Sequence, residues 1–289
     1  MSKLLKLLAC SLLALSISAA TVCAQEPTAN EYIEMIAKFN SEIQADPNDA
    51  EAYYNRGVCY KKIGNMERAL ADYTKAIELN PNDYMTYNNR GNVYSDLGKP
   101  EQAIADYNKA IALDPKRAIA YFNRANVNDG LGNMEQAIAD YSKAIELDPN
   151  DANTYYNRAL AYKSLGNIEQ ELLDYNKAIE VNPNFASAYY NRGISNNKLG
   201  HKQEALEDYT KAIELNPNDA RAFVNRGNVY SDLGNLKQAI ADYTKAIALD
   251  PGDAFAYYDR GNAYSALGKK AQAAADYQKA YTLNPALKK

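Results

Sequence analysis

Apolar and polar positions repeat along the chain with a fixed period. Proline recurs every 34 residues without insertion or deletion, at Pro47, Pro81, Pro115, Pro149, Pro183, Pro217, Pro251 and Pro285. Between these prolines lie seven repeats, residues 50–83, 84–117, 118–151, 152–185, 186–219, 220–253 and 254–287. One glycine divides each repeat at the same offset: Gly64, Gly98, Gly132, Gly166, Gly200, Gly234 and Gly268. Because glycine and proline at these places are helix stop signals, each repeat predicts a helix–turn–helix.

Each predicted helix has one apolar face when it is read at 3.6 residues per turn. A tyrosine column runs along the second helices: Tyr73, Tyr107, Tyr141, Tyr175, Tyr209, Tyr243 and Tyr277. An alanine follows each of these tyrosines three residues later. Such a stripe is typical of core packing rather than of a cofactor platform. One helix pair cannot bury its apolar face alone, so we expect the repeats to stack into an extended array.

The repeat resembles the tetratricopeptide repeat family, with aromatic, Leu-Gly, aromatic-Ala and Pro columns as in residues 52–57 (AYYNRG) and 71–79 (ADYTKAIEL). The resemblance covers about four fifths of the chain. It implies an all-α fold, a right-handed α-solenoid whose first helices line a concave groove and whose second helices form the convex back. It also implies a non-catalytic protein that binds protein or peptide segments.

The N-terminus has the pattern of a signal peptide over residues 1–24. Lys3 and Lys6 precede an apolar run, and small residues stand before Ala24, where we expect cleavage, with Ala20 as the second choice. A lipoprotein signal around Cys10 is an alternative. The run is too short for a comfortable membrane span, and no later segment predicts an integral one. We therefore expect an exported protein, periplasmic or secreted.

The ends of the repeat array differ from its middle. Residues 25–49 predict a linker and a capping helix whose apolar positions are Tyr32, Met35, Ile36, Phe39 and Ile43. In the last repeat, Ala274 and Tyr281 replace the Leu or Ile of earlier repeats. This end either stays soluble or docks a partner or a second copy, which makes it a candidate surface for a homodimer.

Composition leaves little material for an enzyme. The chain has one His, three Cys and a formal charge of −4, and cleavage after Ala24 would leave 30 basic and 36 acidic residues. Nucleic acid is therefore not an expected partner, because phosphate binding needs a cationic face. Cleavage would leave Cys59 without a disulfide partner, in a column of small core residues, and His201 falls in a turn. With no phosphate loop, metal spacing or nucleophile elbow, we predict no catalytic site, metal site or cofactor.

Two charged columns recur in all seven repeats. One consists of Arg56, Arg90, Arg124, Arg158, Arg192, Arg226 and Arg260, and the other of Asp72, Asp106, Asp140, Asp174, Asp208, Asp242 and Asp276. We predict that each Arg pairs with an Asp of its own or a neighbouring repeat and that the pair is structural. A further set of aspartates should cap the first helices: Asp49, Asp83, Asp151, Asp219 and Asp253.

Candidate binding residues lie on the side of the first helices turned away from the core. One amide column contains Asn55, Asn89, Asn123, Asn157, Asn191 and Asn225 and ends in Asp259. A second column three residues later contains Asn92, Asn126, Asn228 and Asn262, interrupted by Val58, Leu160 and Ile194. Aromatic residues flank them: Tyr54, Phe122, Tyr156, Tyr190 and Tyr258. These residues predict a peptide-binding groove, because a primary amide can both donate to and accept from a peptide unit.

Alternatives remain open at this stage. The groove resembles the asparagine ladder of the tetratricopeptide superhelix in the N-acetylglucosamine transferase that modifies intracellular proteins. It lacks the lysines of the carboxylate clamp found in heat-shock chaperone adaptors. The asparagines could instead bond across to the next helix. The protein could also be a structural assembly factor of the cell envelope that acts through its ends or its convex face.

Three substitutions interrupt the columns in the middle of the array. Glu171 replaces a small Ala where two helices meet, and Asn128 and Asn196 replace an interface Tyr. Because each change weakens a packing column, we expect repeats three to five to be the softest.

Overall fold

The computed structural model describes residues 27–288, and the described part of the chain is helical, without strands. Its fifteen α-helices are α1 Ala29–Ala45, α2 Ala50–Lys62, α3 Met66–Leu79, α4 Tyr84–Asp96, α5 Pro100–Leu113, α6 Ala118–Gly130, α7 Met134–Leu147, α8 Ala152–Ser164, α9 Ile168–Val181, α10 Ala186–Lys198, α11 Lys202–Leu215, α12 Ala220–Asp232, α13 Leu236–Leu249, α14 Ala254–Ala266 and α15 Lys270–Leu283. A short 3₁₀ turn, Pro285–Leu287, follows. The predicted signal peptide, residues 1–24, lies outside the described residues.

The chain forms two compact parts, one ending at Asn80 and the other beginning at Pro81. In the first part α1 packs on α2, and α2 packs on α3. In the second part α4 to α15 pack as consecutive pairs, and each second helix also contacts the first helix of the next repeat. This architecture confirms the all-α solenoid of stacked helix pairs.

The predicted capping helix is α1, and its inner face is the one expected from the sequence. Ile36 and Phe39 are buried on it, and Tyr32, Met35 and Ile43 are half-buried. Thr28 and Glu31 form a capping box at its start, which sequence reasoning missed although the Thr-x-x-Glu spacing signals it. Helix α1 therefore covers α2 as the second helix of a preceding repeat would.

Turn chemistry sets the helix ends. The seven glycines after the first helices all have φ between +67° and +84°, where a side chain would be strained. Four of the five predicted aspartate caps accept backbone N–H groups: Asp49, Asp151, Asp219 and Asp253. The prediction for Asp83 is wrong, because its carboxylate makes no cap bond and instead accepts the hydroxyl of Thr86 at 2.5 Å.

The tyrosine column of the second helices is the core. From Tyr73 to Tyr243 its members are at most 1% exposed, whereas Tyr277 in the last repeat is only half-buried. Small residues of the first helix make room for these rings: a Cβ added to Gly91 would lie 2.7 Å from Cε1 of Tyr107. The abundance of tyrosine is thus largely a packing feature, as predicted.

Arginines of the charged column tie three helices together, as Arg158 shows. Arg158 donates through Nε and Nη2 to both carboxylate oxygens of Asp174, at 2.8 and 2.7 Å, and through Nη1 to the hydroxyl of Ser142 at 2.9 Å. Arg158 and Asp174 belong to α8 and α9 of one repeat, and Ser142 belongs to α7 of the repeat before. Its guanidinium also lies over the rings of Tyr155 and Tyr162, each 6.0 Å away. Bidentate, charge-assisted bonds of this kind fix geometry strongly.

The same pair forms within every repeat, which confirms the predicted pairing. The seven pairs are Arg56–Asp72, Arg90–Asp106, Arg124–Asp140, Arg158–Asp174, Arg192–Asp208, Arg226–Asp242 and Arg260–Asp276. The aspartates are 3–8% exposed.

The interrupted columns are compensated only in part. Glu171 is buried and accepts the hydroxyl of Ser195, and the amide of Asn196 donates to Asp208 at 3.0 Å. The buried hydroxyl of Tyr175 has no hydrogen-bond partner, and Leu160 stands where repeats two, three, six and seven carry an amide. The softness of repeats three to five stays a prediction.

Substitution of Asp140 by Ala should lower the free energy of unfolding by about 2–4 kcal/mol, because it leaves Arg124 without its carboxylate in a largely buried site. The matched control is Glu146→Ala, which breaks the 2.7 Å pair between Lys143 and a glutamate whose side chain is 67% exposed. That change should cost about 0.5 kcal/mol or less. Equal effects of the two variants in urea unfolding would contradict a structural role for the pair.

Two glycines at the end of α6 should respond oppositely to alanine. Gly132 has φ +80°, so Gly132→Ala should destabilise the protein by about 1–2 kcal/mol. Gly130 is helical with open space around its Cα, and Gly130→Ala should stabilise it by about 0.4–1 kcal/mol. Thermal unfolding of both variants tests this, and a shift of the same sign in both would refute it.

Candidate functional site

In residues 81–288, the first helices form a continuous face. Helix α4 contacts α6, α6 contacts α8, α10 contacts α12 and α12 contacts α14, and a side-chain hydrogen bond joins α8 to α10. The second helices pack mainly against first helices. The two amide columns and the aromatic column therefore lie on one surface, which we call the first-helix face. Tyr54 and Asn55, both half-buried, belong to the part of the chain that ends at Asn80.

The first amide column bonds from repeat to repeat. In four repeats the side-chain NH₂ donates to a residue on the preceding first helix at 3.0–3.1 Å: Asn123 to Asn88, Asn157 to Asn126, Asn191 to Tyr156 and Asn225 to Tyr190. The alternative that these asparagines bond across to a neighbouring helix is thus confirmed. Since the nitrogen bonds to the neighbour, the amide oxygen points away from that bond, and the oxygen of Asn191 accepts from Nζ of Lys163 at 3.2 Å.

The second amide column bonds to the core tyrosines. Each amide oxygen accepts a hydroxyl from the second helix of its own repeat at 2.7–2.9 Å, in the pairs Tyr107–Asn92, Tyr141–Asn126, Tyr243–Asn228 and Tyr277–Asn262. Because the oxygen faces the core, the NH₂ group is directed away from it. Sequence reasoning missed this orientation, although the constant spacing of 15 residues between each Asn and Tyr signals it.

The aromatic residues are half-buried rather than freely displayed. Phe122, Tyr156, Tyr190 and Tyr258 lie with their ring centroids 5.6–6.1 Å from the core tyrosine of their own repeat. Burial raises the pKa of the Tyr156 and Tyr190 hydroxyls, so both remain neutral near pH 7. Packing against the core tyrosine of its repeat thus fixes the position of each ring.

An open cavity of about 200 Å³ lies on this face between α8, α10 and α12. Tyr156, Tyr190 and Asn191 line it together with Asp219 and Arg221. The Arg221 guanidinium lies 5.2 Å from the ring centre of Tyr190 and donates to both carboxylate oxygens of Asp219, at 2.9 and 2.8 Å. Arg221 lies on this face, but its charge is compensated by Asp219.

Asp259 is the exception in the first amide column. Burial, with a smaller effect from Asp253, raises the pKa of its carboxyl to about 6. A neutral amide fills this position in six other repeats, so the last repeat carries a poorly solvated acid on the same face.

Replacement of Asp259 by Asn should make stability less dependent on pH. The folded-state pKa lies above the unfolded value of about 3.9, so the free energy of unfolding of the parent should rise as the pH falls from 6 to 4. Above pH 7 the free energy of unfolding of Asp259→Asn should exceed that of the parent by about 1 kcal/mol, a figure reduced because solvent reaches the carboxyl. Near pH 4 the two values should match. Asp250→Asn, at an exposed turn, is the control. A constant difference across this pH range would exclude the effect.

Two other residues with reactive side chains lie where the sequence predicts them. Cys59 is buried and His201 is exposed at the start of α11, as predicted. Among residues 27–288 no group of three metal-ligating side chains comes together. No described helix is both long enough and apolar enough to cross a membrane.

Comparison with known families and structures identifies the repeat. The tetratricopeptide repeat profile matches residues 50–83, 84–117, 186–219 and 254–287, a TPR repeat profile matches 130–166, 160–200 and 227–268, and a further tetratricopeptide repeat profile matches 208–241. No curated protein sequence matches the chain.

Solved structures show the same architecture. The crystal structure of YrrB, described as a TPR protein with an unusual peptide-binding site, is 30% identical over 64% of this chain and 95% of its own, with a TM-score of 0.57. A crystal structure of MamA is 30% identical over 57% and 96%, with a TM-score of 0.54. The C-terminal part of a TPR protein from Cytophaga hutchinsonii covers 80% of this chain and 95% of its own at 23% identity and a TM-score of 0.68, and shows the fold. With its recurring motifs and stacked helix pairs, this chain belongs to the tetratricopeptide repeat family.

Proposed function

We propose that the first-helix face binds an extended segment of a partner protein and that the chain acts as a non-catalytic scaffold. The observation that carries this proposal is the opposite polarity of the two amide columns. Asn123, Asn157 and Asn225 in the first column use their nitrogen inside the protein, from which we infer an outward oxygen. The oxygen of Asn191 instead accepts from Nζ of Lys163 at 3.2 Å. Second-column amides use their oxygen inside and leave an NH₂ outward, as in Asn228.

This arrangement suits a peptide backbone. An extended chain presents N–H and C=O groups in alternating directions, so it can donate to one column and accept from the other. The internal bonds hold the amides in place before binding, which reduces the entropy lost on association. Net contributions of about 0.5–1.5 kcal/mol per hydrogen bond predict moderate, reversible binding with little sequence preference from the backbone contacts.

The comparisons support protein or peptide binding as the role of this family. The family is a scaffold for protein and peptide binding, and YrrB is described as having a peptide-binding site. The location is a separate proposal: the basic and then apolar N-terminus favours export, so the partner would be in the periplasm or outside the cell.

A second candidate function uses the C-terminal end. Tyr277 and Tyr281 stack with centroids 6.2 Å apart beside an open cavity of about 550 Å³ on α15. In earlier repeats an Ile stands in the Tyr281 column of the second helix, which packs against the next first helix. This surface would take a second copy or an envelope partner, giving a homodimer or an assembly factor that works through its end.

The variant Asn126→Asp with Asn228→Asp should weaken peptide binding at least tenfold. Each change keeps the oxygen that accepts from the core tyrosine but replaces the outward donor by a charged acceptor, which repels a peptide carbonyl. Peptides selected by display on residues 25–289 provide the ligand, and fluorescence polarisation gives the Kd.

The control is Asn182→Asp with Asn284→Asp, which adds the same charge at turns where other repeats carry Asp. This control variant should bind the selected peptide with the same Kd as the parent. An unchanged peptide Kd for the variant with Asn126→Asp and Asn228→Asp would contradict peptide binding at the first-helix face. If binding instead disappears with Tyr281→Ala, the terminal surface is the site.

A further inference from the structure

The arginine of each repeat is normally covered by aromatic rings on both sides. In five repeats the guanidinium lies 5.4–6.0 Å from the ring three residues before it and from the tyrosine four residues after it. These second rings are Tyr60, Tyr94, Tyr162, Tyr230 and Tyr264. In repeats three and five the second ring is missing, because Asn128 and Asn196 occupy that position.

In repeat five the space of the missing ring remains open. A cavity of about 530 Å³ lies between α9, α10 and α11, lined by Leu172, Asn176, Tyr189, Arg192 and Asn196 and by Glu204, Glu207, Asp208 and Lys211. None of these residues belongs to the amide or aromatic columns of the first-helix face. The size is in the range of small-ligand sites, about 300–1,000 Å³.

Internal bonds keep the cavity open. The Asn196 amide, 9% exposed, donates to Oδ2 of Asp208 at 3.0 Å, which holds this short side chain against α11. Arg192 donates to Asp208 and, through Nη1, to Asn176 at 2.6 Å. Its guanidinium has Tyr189 on one side, 5.5 Å away. The other side therefore adjoins the position where five repeats place a tyrosine ring.

We propose that this cavity is a second binding site, which takes an aromatic side chain of a partner protein. The occupant is defined by the repeats themselves, since Tyr162 and Tyr230 fill the equivalent space in the neighbouring repeats and stack on the equivalent arginines. A planar ring would complete the same cation–π arrangement at Arg192. The cation–π contact with Arg192 therefore favours an aromatic ring over an aliphatic group of equal size.

The mouth of the cavity indicates the surroundings of that ring. Glu204 and Glu207 are exposed there, while Lys211 is paired with Glu214 at 3.1 Å. The rim is therefore acidic, and the aromatic residue should be flanked by Lys or Arg in the partner.

The test uses 4-methylphenol, which has the atoms of a tyrosine side chain, and nitrogen-15 and methyl NMR of residues 25–289. We expect saturable shifts of the Asn196 side-chain amide and the Leu172 methyl groups, with a Kd on the order of 1 mM for so small a ligand. Binding of 4-methylcyclohexanol should be at least threefold weaker because it has no π face. Absence of saturation, or equal affinity for the two compounds, would overturn the proposal.

Two variants locate the probe. Asn196→Tyr restores the ring of the other repeats and should weaken binding more than tenfold, whereas Asn128→Tyr makes the same change in repeat three and should leave it intact. If Asn196→Tyr does not fold, Glu207→Trp at the exposed mouth replaces it as the blocking variant. Retained binding in the folded blocking variant would contradict the site. The Asn126→Asp, Asn228→Asp protein should bind the probe normally, which separates this site from the first-helix face.

The charge of the partner is tested with two peptides, acetyl-Lys-Tyr-Lys-amide and acetyl-Glu-Tyr-Glu-amide. The basic peptide should bind at least threefold more tightly at low salt, and the difference should shrink at high salt. Equal binding, or tighter binding of the acidic peptide, would refute a basic aromatic partner.

Discussion

The bidentate bond between arginine and aspartate within each repeat is the interaction on which the rest of the structure depends. It holds the two helices of a repeat at one relative position, and the third guanidinium nitrogen of Arg158 reaches the second helix of the previous repeat. A partly buried charge pair tolerates little displacement, because separation of the charges would leave each without its partner. The pair therefore favours one register between the helices of a repeat.

The core tyrosines connect this packing to the candidate site. The ring of Tyr141 fills the space between the helices of its repeat, and its hydroxyl orients the amide of Asn126. Stability and the proposed binding thus depend on the same residue, with its ring filling the core and its hydroxyl orienting the amide. Repeat four shows the consequence of breaking this connection, since Leu160 leaves the Tyr175 hydroxyl buried without a partner.

The sequence predicts the helices, the turn glycines and the arginine–aspartate pairs, because each follows from a local rule or from a column that repeats every 34 residues. It left open whether Arg124 pairs within its own repeat, because helical angles alone do not fix the distance to Asp140. It also presented ligand contact and internal bonding of the asparagines as alternatives. The structure shows internal bonding, and the proposed ligand contacts use the remaining donors and acceptors of the same amides.

Other features depend on how neighbours fill space. A substitution such as Asn196 is visible in the sequence, but whether the surrounding side chains close over the lost volume is decided by packing from three helices. The pairing of Arg221 with Asp219 also depends on the fold. It neutralises a positive charge on the first-helix face. The residues can be read from the sequence, but these distances depend on how the folded helices pack.

The central claim is that the first-helix face holds a partner segment through amides oriented by the fold. The most direct measurement follows asparagine side-chain resonances by NMR while a selected peptide is added to residues 25–289. The account predicts that the side-chain amides of Asn92, Asn126, Asn228 and Asn262 shift, while those of Asn108 on a second helix and Asn150 in an exposed turn stay in place. Shifts confined to Asn108 and Asn150 would contradict it and move the binding surface away from the first-helix face.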